Sequence, residues 1–288
     1  MNPHTLESAP PSRETELRRQ LVQRIAERRL DLPMLPQTAA DVMTVCNDTS
    51  CDAARLAGLI QRDQALAAHT LHVANSAVYA PREPIVSLQQ AVSRLGFKTM
   101  CDIAVAVTMR SKIFVLKGQE ERLRAMWEHS AMSGAWAKEI ARVRRRNVEG
   151  AFLSGLLHDI GKPVVLQVVL ELGRGSGVRP DGALLDALLQ EFHAEVGGIV
   201  LASWKLPDWM CAAVRCHHDP ELAGEHVEYS RTAMLADLLA HSSAHPDPEA
   251  DQVLRTHPVL DDLGLYDEET EALFERREAV QQTAEAFR

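Results

Sequence analysis

Ser154-Gly155-Leu156-Leu157-His158-Asp159-Ile160-Gly161-Lys162, entered from Phe152 and Leu153, is the stretch from which the rest of the chain is read. Phe152, Leu153, Leu156 and Leu157 recur at helical spacing, and Gly161 and Pro163 are stop signals, so the reading is a buried helix that ends here. A His beside an Asp at the end of a buried helix needs a reason. In mid-helix such neighbours point about 100° apart. Where the helix unwinds they can share a target, and imidazole and carboxylate are both ligands for divalent metals. The plainer alternative is that Asp159 caps the following turn and His158 is a hydrogen-bonded core histidine. The stretch alone leaves both readings open.

The chain around it is ordinary in bulk. Its 288 residues allow one large domain or two small ones with a sizeable core. A net charge of −9 argues against a general affinity for nucleic acid or anionic membrane. Five scattered cysteines (Cys46, Cys51, Cys101, Cys211, Cys216) contain no Cys-x-x-Cys and are expected to be free thiols in a reducing cytoplasm. No apolar h-region opens the chain, and no apolar run approaches the roughly 20 residues of a membrane span. A cytoplasmic location is the expectation.

Helical periodicity recurs throughout, and strand alternation does not, so the fold class expected is all-α. Residues 1–13, with Pro3, Pro10 and Pro11, read as a mobile tail. An N-terminal helical half covers 14–116. A polar stretch around Lys117–Arg122 leads into a second half over 117–245, and the two are expected to pack as one unit. In the first half, Asn47-Asp48-Thr49-Ser50 reads as a turn between helices. In the second, Met126–Val143 is a strong helix closing in Arg142, Arg144, Arg145 and Arg146, read as a solvated basic end that complements the helix dipole. Gly173-Arg174-Gly175-Ser176-Gly177 reads as a flexible loop and lacks the features of a phosphate loop. Helices follow at about 182–191, 194–204, 208–217 and 229–241. Pro246 and Pro248 start a linker, and a charged helix over 267–287 completes 246–288.

The second half carries more chemistry than one His-Asp pair. His129 precedes it, His193 sits where one helix gives way to the next, His217-His218 lie at a helix end, and Asp237 falls in the apolar run Ala233–Ala240, where an unpaired carboxylate is costly. Any one of these histidines is more often structural than a ligand. Several in one helical half, with a buried Asp, favour a metal centre, and two metals can share a bridging carboxylate. His4, His69, His72, His226, His241, His245 and His257 are assigned to surface or loop roles.

His129, His158-Asp159 and Asp237, in that order on helices, resemble the HD superfamily of metal-dependent phosphohydrolases, and His193 with His217-His218 is similar to the two-metal pattern of its HD-GYP branch. More of the chain, about 30–242, resembles the HDOD domains, which are bacterial signalling output modules related to HD enzymes. That likeness rests on Leu32-Pro33-Met34-Leu35-Pro36, Leu71-His72-Val73-Ala74-Asn75-Ser76, Ala91-Val92-Ser93-Arg94-Leu95-Gly96, Trp127-Glu128-His129-Ser130, Gly155 to Lys162, His193-Ala194-Glu195-Val196-Gly197 and Trp204-Lys205-Leu206-Pro207. The resemblance implies an HD-like helical domain behind an N-terminal helical subdomain. It also implies a centre of two divalent ions (Fe, Mn, or Ni or Zn as prepared) on His129, His158, Asp159, His193, His217, His218 and Asp237, with Asp159 bridging.

Two functions follow from it. The first is a regulatory module acting through protein partners or a nucleotide, its metal structural or sensory. Members of the HDOD group commonly lack an intact ligand set and are treated as regulatory. The second is a phosphohydrolase acting on a phosphodiester or nucleotide, with Asp159 and Lys162 as catalytic residues. Asp219-Pro220-Glu221-Leu222 stands where the cyclic di-GMP enzymes carry Gly-Tyr-Pro, and Ala125 offers no carboxylate for a third metal. Both departures argue against cyclic di-GMP hydrolysis, and the closer match to the HDOD group, with an N-terminal helical half that a minimal hydrolase does not need, favours the first function. A third, nucleic-acid binding through Arg142–Arg146, is disfavoured by the charge and by the lack of interleaved aromatics.

Overall fold

A computed structural model describes residues 13–287 apart from 49–50, 77, 80, 82 and 178. Most of the expected tail, and Thr49-Ser50 of the expected turn, lie outside the described residues. Among those described there are helices and no strand. The first half holds α1 (Arg13–Ala26), α2 (Gln37–Asn47), α3 (Ala53–Ile60), α4 (Gln64–Ala74), α5 (Leu88–Leu95) and α6 (Phe97–Ile113). The second holds α7 (Glu120–Val143), α8 (Val148–Leu157), α9 (Gly161–Ser176), α10 (Gly182–Ser203), α11 (Asp208–Arg215), a 3-10 turn at Pro220–His226 and α12 (Val227–Ala244). Then come α13 (Pro248–Arg255), α14 (Pro258–Asp262), α15 (Asp267–Phe274) and α16 (Arg277–Glu285).

Short polar side chains start several of these helices by accepting from otherwise unpaired backbone N–H groups. Asp52 starts α3, Asp63 α4, Ser87 α5, Asn147 α8 and Asp181 α10. The helices then bury their apolar faces together. One apolar core runs from Leu17 through Leu56, Ile103 and Trp127 to Leu156, Val200 and Val214, so both halves share a single interior. Each large side chain removed from water in it contributes roughly 1.5–3 kcal/mol. The first helix crosses the boundary drawn from the sequence. α1 packs on α9 and α10, where Arg18 pairs with Glu191 and Arg24 with Glu171.

Several sequence expectations are corrected. Helices expected at 182–191 and 194–204 are one helix, α10, with His193 in its interior. The Gly173–Gly177 stretch is the last turn of α9, and Gly177 ends it in the left-handed region at φ 68°. The proline-marked linker is α13 and α14. Leu254, Val259, Leu260, Leu263 and Leu265, with Leu273, Phe274 and Val280 beyond, bury against Trp136, Ile140, Leu235 and Leu239 to form a second core. Prolines at helix starts open these helices.

Arg144 is clamped rather than solvated. Its guanidinium donates to the Leu263 carbonyl at 2.7 Å and to Glu228 at 2.9 Å, tying α7 to the chain's end. Cys46 and Cys101 form a disulfide, because α2 lies against α6 and brings their Cα atoms to 6.2 Å. Cys51, Cys211 and Cys216 remain free. Val148–Ser176 reaches the length and apolarity of a membrane span (mean hydropathy 1.3), against the sequence reading, and 78% of its most apolar window is buried in the core.

Candidate metal centre

The seven residues singled out in the sequence lie together. α8 ends at Leu157, and the turn at 158–160 before α9 lets His158 and Asp159 face one target, as the stop signals suggested. His129 comes from α7, His193 from α10, His217 and His218 from the turn after α11, and Asp237 from α12. His129 and His193 lie inside their helices and not at the inner ends. His158, Asp159, His193 and His217 are at most 1% exposed, whereas His218 stands at the rim.

The turn is held tightly because Gly161 begins α9 directly against α10. A Cβ at position 161 would run into the His193 carbonyl oxygen and lie 2.7 Å from the Gly197 nitrogen. The absent side chain lets His193 approach Asp159.

Asp159 divides the cluster. Its Oδ2 lies 3.3 Å from His158 Nε2 and 3.7 Å from His129 Nε2. Its Oδ1 lies 3.2 Å from His193 Nε2 and has no hydrogen-bond partner although it is buried. On the Oδ2 side Asp237 completes a group, with its Oδ1 2.9 Å from His129 Nε2 and 3.6 Å from His158 Nε2. On the Oδ1 side, His193 Nε2 lies 3.3 Å from His217 Nε2 and 3.0 Å from His218 Nε2. Lys162, one turn beyond the junction, donates to Asp159 Oδ2 at 2.5 Å.

The imidazoles are oriented from behind. Nδ1 of His158 faces the Gly155 carbonyl at 2.7 Å, Nδ1 of His193 the Leu189 carbonyl at 2.8 Å, and Nδ1 of His217 the Val214 carbonyl at 2.7 Å. A carbonyl only accepts, so each Nδ1 must carry the hydrogen. In the neutral ring Nε2 is then a bare lone pair. Bare Nε2 atoms facing one another about 3.3 Å apart, beside an unpartnered buried carboxylate oxygen, repel unless a cation lies among them. A metal ligand held by a hydrogen bond from its other nitrogen has this arrangement. The donor set of imidazoles and carboxylates therefore fits divalent transition metals.

The charges fit the same picture. Burial lowers His158, but the carboxylates of Asp159 and Asp237 outweigh it and push the ring up to about 10. Burial raises Asp159 and Asp237, yet the adjacent histidines hold both well below the usual carboxylate range. Without a metal, the Lys162 ammonium on Asp159 and a proton on His158 supply the positive charge that the two carboxylates require.

One member escaped the sequence reading. His241, assigned to a surface role, lies one turn after Asp237 on α12, with its ring 4.4 Å from that of His129. The signal was the i, i+4 spacing from Asp237, which places both on one helix face. A second missed feature is Asp102 of α6, nearly buried and 2.5 Å from Lys138 Nζ of α7. It lines a cleft of about 470 Å³ between the halves, with Leu35, Lys98, Trp204, Leu206 and Pro207. Trp204 Nε1 donates to the Pro33 carbonyl at 2.7 Å, joining two sequence motifs that lie outside the metal centre.

Known proteins share the family signature and the fold. The signature of the HDOD domain family matches residues 32–220. An uncharacterized protein of Treponema pallidum (strain Nichols) is 23% identical over 225 residues, which cover 74% of this chain and 43% of that one, so the chain spans less than half of this curated relative. A crystal structure from Shewanella amazonensis SB2B, named provisionally as a metal-dependent phosphohydrolase, superposes with a TM-score of 0.73 at 24% identity, covering 95% of this chain and 100% of its own. An HDOD domain protein of unknown function from Geobacter sulfurreducens gives a TM-score of 0.71 at 22% identity, covering 95% and 98%. At these identities the two structures share the fold with this chain.

Proposed function

This chain belongs to the HDOD family, and on that premise we propose that it is a cytoplasmic signalling output module. In this reading the His-Asp centre holds two divalent ions, one on each side of Asp159. His129, His158 and Asp237 hold one ion, and His193, His217 and His218 hold the other. Bound ions supply Lewis acidity and fixed positive charge. The protein's own contribution is to fix the imidazole tautomers from the backbone, to keep Asp159 ionised with Lys162 beside it, and to bury the set so that partner binding is coupled to a rigid core. The facing of the bare Nε2 atoms of His193 and His217 beside the unpartnered Asp159 oxygen carries the metal assignment. Family membership supports action through partner proteins or a nucleotide, and the cleft between the halves has the size that small ligands fill.

Phosphoester hydrolysis is the second reading, favoured by the two-sided use of one carboxylate. There Lys162, already on Asp159 Oδ2, would steady an anionic substrate, while Asp159 and the histidines hold the ions. The absence of Gly-Tyr-Pro after His218 places regulation first.

Elemental analysis of protein purified without added metal, followed by assays with Mn²⁺, Fe²⁺ or Ni²⁺ on a generic phosphodiester, cyclic di-GMP and a nucleotide panel, tests both readings beside Asp159→Ala. Two equivalents of metal in the parent, with equal background hydrolysis in parent and variant, is the expected result. Turnover present in the parent and lost in the variant would replace regulation with catalysis.

A further inference from the structure

His241 stands apart from the other residues of the centre in its position and exposure. Its side chain is 56% exposed, whereas those of His129, His158, Asp159 and Asp237 are between 0% and 14%. Its Nε2 lies 3.9 Å from Asp237 Oδ1 and its ring packs on that of His129. Donor atoms of His129, Asp237 and His241 lie within 4.8 Å of one another. Among the described residues neither nitrogen of its ring makes a hydrogen bond. Helical spacing fixes it on the face of α12 that carries Asp237, one turn closer to water.

We propose that His241 is a further ligand of the ion held by His129, His158, Asp159 and Asp237, and that it closes the solvent side of that position. The inference rests on the metal reading above and goes beyond it. A catalytic metal site keeps a position open for water or substrate, and a structural site is closed by protein donors. On the buried side this ion is surrounded by helices, so the direction facing solvent is the one from which a small molecule could arrive. An imidazole there makes the position closed at rest. Because that imidazole is half in water, on a helix surface with no hydrogen bond to hold it, an anionic ligand can displace it without disturbing the buried donors. This part of the centre would then be a gated position, opened by ligand exchange at one exposed side chain.

The test uses the full chain stripped by chelation and reloaded with Co²⁺, comparing the parent with His241→Ala and His241→Gln. Melting curves and circular dichroism establish that the variants are folded. The parent should take up two Co²⁺. Each variant should still take up two, with one of them weakened about tenfold or more, and with an altered visible d–d spectrum as that ion exchanges an imidazole for water or Gln oxygen. Imidazole added to His241→Ala should restore the parental spectrum, since the vacated position is open to water. Two ions with unchanged affinity and spectrum in both variants would overturn the assignment of His241 and leave the metal reading standing. Failure of the parent itself to bind Co²⁺ would overturn both, so the two failures are distinguishable.

Discussion

The two sides of the centre share Asp159 and differ in almost everything else. At Oδ2 the neighbours are Lys162, His158 and His129, with a second carboxylate, Asp237, on the far side of the two histidines. At Oδ1 they are imidazoles alone, His193, His217 and His218. The metal-free protein already treats them differently. The carboxylate-rich side holds a proton, with His158 pushed up to about 10 against the effect of burial. The imidazole-rich side holds none, because burial takes His193 down to about 4 and lowers His217 strongly. Carboxylates thus attract a cation to one side whether or not metal is present, and the other side offers lone pairs already free of protons. Two ions bound here should differ in affinity and in pH dependence.

The largest effect should come from the residue the sides share. Asp159→Ala should empty both, taking the metal content from two equivalents to near zero, and elemental analysis decides it. A variant that retained one tightly bound ion would show that Asp159 serves only one side. Next come Asp237→Ala and His217→Ala, each expected to lose about one equivalent from its own side. If either lost both, the sides would be one cooperative unit and the comparison would fall.

A smaller and sharper difference lies in pH. Filling the carboxylate-rich side expels the His158 proton, so its affinity should rise about tenfold per unit from pH 7 towards 9. On the imidazole-rich side burial takes His193 down to about 4 and lowers His217 and His218 too, so that side should be flat over that range. Titrations at pH 7 and 8.5 measure the two slopes, and equal slopes would contradict the charge distribution described here. In the metal-free protein the stability signs follow. The contribution of the depressed Asp159 and Asp237 is present above about pH 4 and is lost as pH falls. That of His158 is full below about pH 6.5 and is lost as pH rises through about 10. A thermal melting series should therefore decline at both ends.

The smallest effect on the centre should come from the first half. The Cys46–Cys101 bond closes a separation of 55 residues, for which the chain-entropy model gives about 4 kcal/mol. Cys46→Ser should lower the melting temperature and leave both ions in place. Thiol titration of denatured parent protein should count three free thiols without reductant and five with it.

Much of this was legible in the sequence, and what was not has physical causes. The fold class was readable because apolar residues repeat at helical spacing in nearly every segment. That His129, His158, Asp159, His193, His217, His218 and Asp237 lie together was readable in part from the cost of a carboxylate in the apolar run at Asp237, and for the rest from the resemblance to HD proteins. His241 was not, since an exposed histidine in a polar helix end looks like surface until the helix is seen to pass His129. Nor was the continuity of α10: the sequence reading places helices at 182–191 and 194–204 with His193 between them, yet the helix runs through unbroken. The basic run at Arg144 looked solvated, because the Leu263 carbonyl that receives it is more than a hundred residues away. Pro248 reads with Pro246 as the start of a linker, yet Pro248 and Pro258 open α13 and α14, and only the buried Leu254, Val259 and Leu260 tell the two cases apart.

Gly161 has a consequence for how this centre is inherited. The backbone of α9 meets that of α10 there with no room for a methyl group. A single base change to Ala or Ser would wedge the helices apart and draw His193 from Asp159, while every donor stayed written in the gene. A descendant altered in this way would keep every His and Asp of the cluster and lose their arrangement. Surveys that count His and Asp across relatives would record the cluster as intact, so residue 161 should be read together with them.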